Sequence, residues 1–136
     1  MSSEEIILEE EDFQNLENKL EALLLEVGST AALLLDRNGF LILAKGNFPD
    51  LDPEDFGVMA SAAFTALNQM MNNKSDRITV NFHSPQDENI LCHILHHKMF
   101  LVLIFKSPVE GDPERAEKID QASQSFLKDV KRIFFP

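Results

Sequence analysis

Several residue types are scarce or missing in this sequence, and each absence restricts what the chain does. The 136 residues include no Trp, no Tyr and a single Cys, whereas Phe occurs 11 times. The lone Cys92 excludes an internal disulfide and fits a reducing compartment, so the expected location is cytoplasmic. Because Trp and Tyr supply the polar-tipped rings of many recognition surfaces, their absence disfavours a site that stacks on nucleobases or sugars.

Positive charge is also scarce. Lys and Arg total 12 against 23 Asp and Glu, which gives a formal net charge of −11, and the first 26 residues contain nine acids and one base, Lys19. Such a chain repels phosphate backbones and anionic lipid surfaces, so we expect neither nucleic acid nor a membrane as partner. We predict that residues 1–11 are an acidic, flexible N-terminus and that residues 12–136 form a single domain.

Motifs of catalysis and of cofactor binding are missing as well. The sequence has no glycine-rich phosphate loop, no nucleophile elbow and no paired-cysteine metal site, so we expect no catalytic residue, no metal and no cofactor. The histidines that most resemble a metal site are His93, His96 and His97, with His83 on a neighbouring predicted strand. Exposed or hydrogen-bonded histidines at strand ends are the favoured interpretation.

Two single residues are candidate reactive groups. Cys92 lies between Ile90 and Ile94 on one face of a predicted strand, where a thiol behaves as a small hydrophobic side chain. We interpret it as a core residue, because reactive cysteines need exposed and electropositive surroundings. Arg37, at the tip of a predicted hairpin, would suit an arginine finger acting in trans, but an ordinary solvated arginine is the favoured interpretation.

Hydrophobic periodicity predicts eight elements in the order α-β-β-α-β-β-β-α. A first amphipathic helix follows the possible cap Asp12 and stops at Gly28, and a last helix follows Asp112. The runs AALLLD and FLILAKG are strands joined by an Asn-Gly hairpin, RITVNFHS alternates as an edge strand, and NILCHILH and MFLVLIFK are two further strands. Strands that are apolar on both faces need cover on both faces. We therefore predict an α+β fold, a five-stranded, mostly antiparallel sheet with the central helix on one face and the two terminal helices on the other.

Residues 56–73 are the longest stretch without a charged side chain. Asp52 and Pro53 supply an N-cap and a first-turn proline, and we predict a helix from about Asp52 to Met71. Its apolar positions cover roughly 200° of the circumference, about twice the arc of an ordinary surface helix. We interpret the excess as a subunit or partner interface, beside which the edge strand offers backbone groups for pairing with another chain. The alternative is a fully buried central helix of a monomer. A membrane span is disfavoured, because amide and hydroxyl side chains interrupt the apolar run.

With this pattern, the chain resembles the roadblock family of dynein light chain type, and in particular its bacterial MglB-like members, over roughly Phe13 to Phe134. The phrases that carry the resemblance are LLLDRNGFLILAKG, FGVMASAAFTALNQM and MFLVLIF. The resemblance implies a roadblock-like fold and homodimers in which the central helices pack together and the edge strands join two sheets. It also implies that the chain binds and regulates a small Ras-like GTPase without inserting a catalytic residue of its own.

By this resemblance, the central helix supplies the residues that contact the twin or the partner. The positions carried over on the helix, with two from the edge strand, are Phe56, Met59, Ala60, Ala63, Phe64, Leu67, Met70, Met71, Thr79 and Asn81. The alternative function is an assembly adaptor of the same fold that has no effect on GTP hydrolysis. A more distant alternative is a sensor of a small ligand, since sheet-and-helix domains of this general shape hold pockets.

Overall fold

Helices and strands follow one another in the predicted order. A computed structural model of the chain describes residues 10–36, 38–48, 52–70, 77–81, 89–95, 99–106 and 111–134. Its elements are α1 (Glu10–Val27), β1 (Ala31–Asp36), β2 (Leu41–Gly46), α2 (Pro53–Met70), β3 (Arg77–Asn81), β4 (Asn89–Leu95), β5 (Met99–Phe105) and α3 (Pro113–Phe134). Helix α1 begins two residues before the predicted cap Asp12. The predicted flexible segment, residues 1–11, lies almost wholly outside the described residues.

The strands form one sheet in the order β2-β1-β5-β4-β3, and every neighbouring pair is antiparallel. The α+β class and the antiparallel sheet are thereby confirmed. Strands β1 and β5 lie inside the sheet, and all their residues except Asp36 are buried. Because both faces of these strands are covered, their side chains are apolar on both faces, as the sequence predicts. The edge strand β3 pairs with β4 from Arg77 to Asn81.

Two hydrophobic clusters lie on opposite faces of the sheet. The larger cluster packs α1 and α3 against one face through residues such as Leu20, Phe126 and Leu101. The other cluster packs α2 against the opposite face through residues such as Phe64 and Phe100. The helices are therefore distributed two and one over the faces, in agreement with the prediction. Each fully buried Leu or Phe contributes roughly 1.5–3 kcal/mol to folding.

The hairpin between β1 and β2 is organised by Asp36, a role that the sequence analysis did not assign. Its carboxylate oxygen Oδ1 accepts hydrogen bonds from the backbone N–H groups of Asn38 at 2.8 Å and Phe40 at 3.0 Å. Gly39 has a φ of 90°, which is a conformation that glycine adopts without strain. The prediction that Phe40 begins β2 is wrong, because its N–H binds this side chain and the strand starts at Leu41.

None of the helices in the described part of the chain combines the length and the apolar character that a membrane crossing requires.

Candidate interaction surface on the central helix

Helix α2 starts at a side-chain cap and is anchored to the sheet by aromatic residues. The Asp52 carboxylate accepts a hydrogen bond from the Glu54 N–H at 3.0 Å, which satisfies one of the free donors of the first turn. Phe56, Ala60 and Phe64 follow at intervals of four residues and are 8%, 6% and 4% exposed. The ring of Phe64 lies 6.3 Å from that of Phe100 on β5, tilted by 52°.

The first turns of α2 lie directly on the β1–β2 hairpin. A Cβ atom added at Gly57 would lie 2.8 Å from a Leu35 side-chain carbon and 3.1 Å from the Gly39 carbonyl oxygen. A Cβ atom added at Gly39 would lie 2.9 Å from the Val58 Cα atom. At Gly39 the neighbouring atom belongs to the backbone and the φ is 90°, so this contact requires a glycine. At Gly57 a side chain would force Leu35 to shift and would crowd the Gly39 carbonyl oxygen.

The opposite side of α2 has no cover in the described structure. We call this surface the outer face of α2; its exposed residues are Val58, Met59, Ala62, Ala63, Thr65, Ala66 and Gln69. Val58 is 57% exposed and Met59 is 71% exposed. No member of the face is charged, although the chain as a whole carries −11. Contiguous, mostly apolar surface of this kind is typical of contact sites for other macromolecules, which makes the outer face of α2 the candidate interaction surface.

The predicted contact residues separate into three groups. Phe56, Ala60 and Phe64 are buried in the cluster under α2, and Leu67 packs partly against it. Met59 and Ala63 belong to the outer face. Met70 is the last residue of α2. In the pairing of β3 with β4, Thr79 lies opposite Leu91 and Asn81 opposite Asn89. The side chains of Met70, Thr79 and Asn81, and the whole of Met71, lie outside the described part of the chain.

The structure adds surface residues that the predicted set omits, namely Val58, Ala62 and Ala66 on the outer face and Phe40 at the hairpin tip. Phe40 is 68% exposed. A helical wheel places Ala62 and Ala66 in the wide apolar arc and Val58 just outside it, but it does not tell which part of that arc faces the sheet. Only the position of α2 on the sheet distinguishes the two sides.

The candidate reactive residues are core residues where the structure describes them. Cys92 is 0% exposed beside Ile90 and Ile94, and burial raises the pKa of its thiol, so the predicted core role is confirmed. His93 is 0% exposed inside β4, so the interpretation as a strand-end residue is wrong for it. Within the described ranges, no three His, Cys, Asp or Glu side chains are placed to hold a metal ion. His83, His96, His97 and Arg37 fall outside those ranges.

A groove of 310 Å³ runs between α1 and α3 on the other side of the sheet. Its floor includes Leu23 and Phe126, and its rim carries both signs of charge. The rim is held by an ion pair between Lys19 Nζ and Asp129 Oδ2 at 3.1 Å. Since this rim is polar and internally paired, the groove differs from the uncharged outer face of α2.

The arrangement of an antiparallel sheet between one central and two terminal helices is the fold of Roadblock/LC7 domains. The Roadblock/LC7 domain from Streptomyces avermitilis superposes with a TM-score of 0.60 at 15% identity, covering 84% of this chain and 96% of that one. The resemblance to the roadblock family is thus confirmed at the level of the fold. No family model matches the sequence, and comparison with curated proteins finds no match either.

Structures of MglB share the fold over nearly the full chain. The gliding protein MglB from Thermus thermophilus has a TM-score of 0.70 at 19% identity, with 95% of each chain covered. An MglB described as having a tetrameric arrangement has a TM-score of 0.72 at 20% identity, with 95% of this chain and 94% of that chain covered. This chain therefore has an MglB-like fold.

Proposed function

We propose that this chain is a homodimeric regulator of a small Ras-like GTPase and acts through protein contact. The observation that carries the proposal is the outer face of α2, which is exposed, wide and uncharged on an MglB-like fold. Apart from Thr65 and Gln69, the outer face consists of Ala, Val and Met side chains, which supply no nucleophile, acid or base, so we infer that it works by binding. Such a regulator favours one conformation of its GTPase over another. The proposed place of action is the cytoplasm, and the proposed domain organisation is a single domain over residues 12–136.

The second copy is proposed to bind the C-terminal half of the outer face. Ala62, Ala63 and Ala66 are small and exposed, and the separation of two packed helices decreases with the size of the side chains at their contact. The edge strand β3 offers backbone groups to a strand of the twin. The remaining proposed contact positions are Met59, Leu67, Met70, Met71, Thr79 and Asn81, while Phe56, Ala60 and Phe64 support the helix from beneath.

Light scattering of purified protein tests the dimer. At tens of micromolar, the wild type is expected to have twice the 15.4 kDa mass of one chain. Ala63→Glu places a charge in the close contact and is expected to yield monomer or insoluble protein. Ala22→Glu, an equal change at an exposed alanine of α1, is the control and is expected to stay dimeric. A monomeric wild type would remove the homodimer from the proposal.

Capture from native lysate tests the regulator. The immobilised protein is incubated with lysate containing either GDP or a non-hydrolysable GTP analogue. Recovery of one small GTPase with the analogue alone is expected, followed by faster GTP hydrolysis when the two purified proteins are mixed. Recovery that is independent of nucleotide, with an unchanged hydrolysis rate, would instead establish the alternative of a non-catalytic adaptor.

A further inference from the structure

An exposed apolar patch lies where the β1–β2 hairpin meets the first turns of α2. The large hydrophobic side chains exposed in the described structure are Phe13 (38%), Leu25 (73%), Phe40 (68%), Val58 (57%) and Met59 (71%). Three of these five gather here, because Gly39, the residue before Phe40, lies against Val58. We call Phe40, Val58 and Met59 the tip patch.

Acidic residues border the tip patch on one side. Glu54 and Asp55 are exposed and precede Val58 and Met59 by four residues each, so each acid lies one helical turn from one apolar member. Asp52, also exposed, precedes them at the cap. From Phe56 to Met70 the helix carries no charge. The outer face of α2 therefore has bulky side chains and neighbouring acids at its N-terminal end, and small neutral side chains at Ala62, Ala63 and Ala66.

This polarity assigns different occupants to the two ends. In a symmetric dimer, residues near the two-fold axis meet their own copies. An axis at Ala62 to Ala66 brings small neutral side chains together. An axis at Val58 and Met59 gathers Glu54 and Asp55 of both copies around one point, where like charges repel. The N-terminal end therefore disfavours a second copy and suits a partner that brings positive charge.

We propose that the tip patch is the docking site for the partner GTPase, which presents an apolar side chain flanked by Lys or Arg. This inference rests on the regulator function proposed above and adds the location and chemistry of the contact. The apolar members supply the buried centre of the interface, and Glu54 and Asp55 supply a charged rim that speeds association and fixes register.

Site-specific photo-crosslinking of the full chain tests the site. Phe40, Ala66 or Leu25 is replaced by p-benzoylphenylalanine, one at a time, and each protein is irradiated in native lysate with the GTP analogue. The Phe40 position is expected to crosslink to a small Ras-like GTPase, at a peptide with an apolar residue beside Lys or Arg. The Ala66 position is expected to crosslink to a second copy. The Leu25 position, equally exposed on α1, is the control and is expected to give neither product.

Each other outcome overturns the proposal in a distinguishable way. A crosslink from the Phe40 position to a second copy would assign the tip patch to the dimer. A GTPase crosslinked from the Ala66 position alone, or captured without any crosslink at Phe40, would refute the tip patch and leave the regulator function standing. Absence of a GTPase from both capture and crosslinking would remove the function together with the site.

A charge reversal with a matched control tests the acidic rim. Glu54→Lys with Asp55→Lys is expected to lower the GTPase crosslink from the Phe40 position about tenfold. The control, Glu114→Lys with Glu117→Lys, reverses two exposed acids near the start of α3 and is expected to change the yield less than about twofold. Equal yields from the two double variants, at unchanged dimer mass, would show that the rim takes no part.

Discussion

Helices α2 and α3 have the same three residues at their starts but differ in the side chains that they expose to water. Asp52-Pro53-Glu54 opens α2, and Asp112-Pro113-Glu114 opens α3. In both, the aspartate Oδ1 accepts a hydrogen bond from a first-turn N–H, that of Glu54 at 3.0 Å and that of Arg115 at 3.1 Å. Each helix is also anchored by a phenylalanine that is 4% exposed, Phe64 in α2 and Phe126 in α3.

The difference lies in what each helix presents to water. The exposed residues of α3 after its first turn include Glu117, Lys118, Gln121, Lys128 and Lys131, and the exposed residues of α2 after its first turn carry no charge. The exposed side chains of α3 are thus charged or polar and are hydrated by water. Those of α2 leave apolar surface that contact with a partner would remove from water. Shared start signals therefore determine where a helix begins, and the composition of its exposed side determines how much apolar surface it leaves in contact with water.

The largest effect is expected from removing the two anchors. Phe64→Ala and Phe126→Ala each lose a buried ring and leave a cavity, so each is expected to lower the free energy of unfolding by about 3–5 kcal/mol. Phe13→Ala, at a ring that is 38% exposed, is the control and is expected to cost less than about 1.5 kcal/mol. Urea unfolding monitored by circular dichroism gives all three values. A Phe64→Ala cost as small as that of the control would mean that α2 is not anchored by its ring.

A smaller effect is expected where α2 meets the hairpin. Gly57→Val introduces three carbon atoms, the first of which would lie 2.8 Å from a Leu35 side-chain carbon and 3.1 Å from the Gly39 carbonyl oxygen. The resulting overpacking is expected to cost about 1–3 kcal/mol of unfolding free energy. Ala22→Val, at an exposed alanine of α1 outside the proposed contacts, is expected to cost about 0.5 kcal/mol through helix propensity alone. Thermal unfolding of both variants at one protein concentration makes the comparison, and equal costs would contradict the close contact.

The smallest effect is expected at the shared start signals. Asp52→Ala and Asp112→Ala each remove one capping hydrogen bond, and each is expected to lower stability by about 1 kcal/mol. Since the two caps have similar lengths, the two losses are expected to agree within about 0.5 kcal/mol. Chemical unfolding provides the values, with Asp52→Asn and Asp112→Asn as controls that retain a capping oxygen. A large difference between the two alanine variants would show that the helices do not start alike.

Local signals predict most of the fold. The Asp-Pro starts, the glycine stop at Gly28 and the doubly apolar strands β1 and β5 lie where the sequence analysis places them, because each depends on neighbours in the chain. The candidate site is predicted less well. Of the named helix positions, Phe56, Ala60 and Phe64 face the chain's own sheet, and Val58 and Phe40 were not named although both are exposed. Hydrophobic periodicity identifies the apolar arc of α2 but does not tell which part of that arc faces the sheet.

The sequence by itself determined the element order, the caps of α2 and α3 and the presence of one helix with more apolar surface than a single sheet covers. These features depend on hydrogen bonds and side-chain periods within a few residues of each other. Only the tertiary structure decided which side of α2 is covered, since that depends on where Gly57 and Gly39 bring helix and hairpin together. It also decided that Gly39, the residue before Phe40, lies against Val58, because residues 19 positions apart become neighbours only when the helix packs on the sheet.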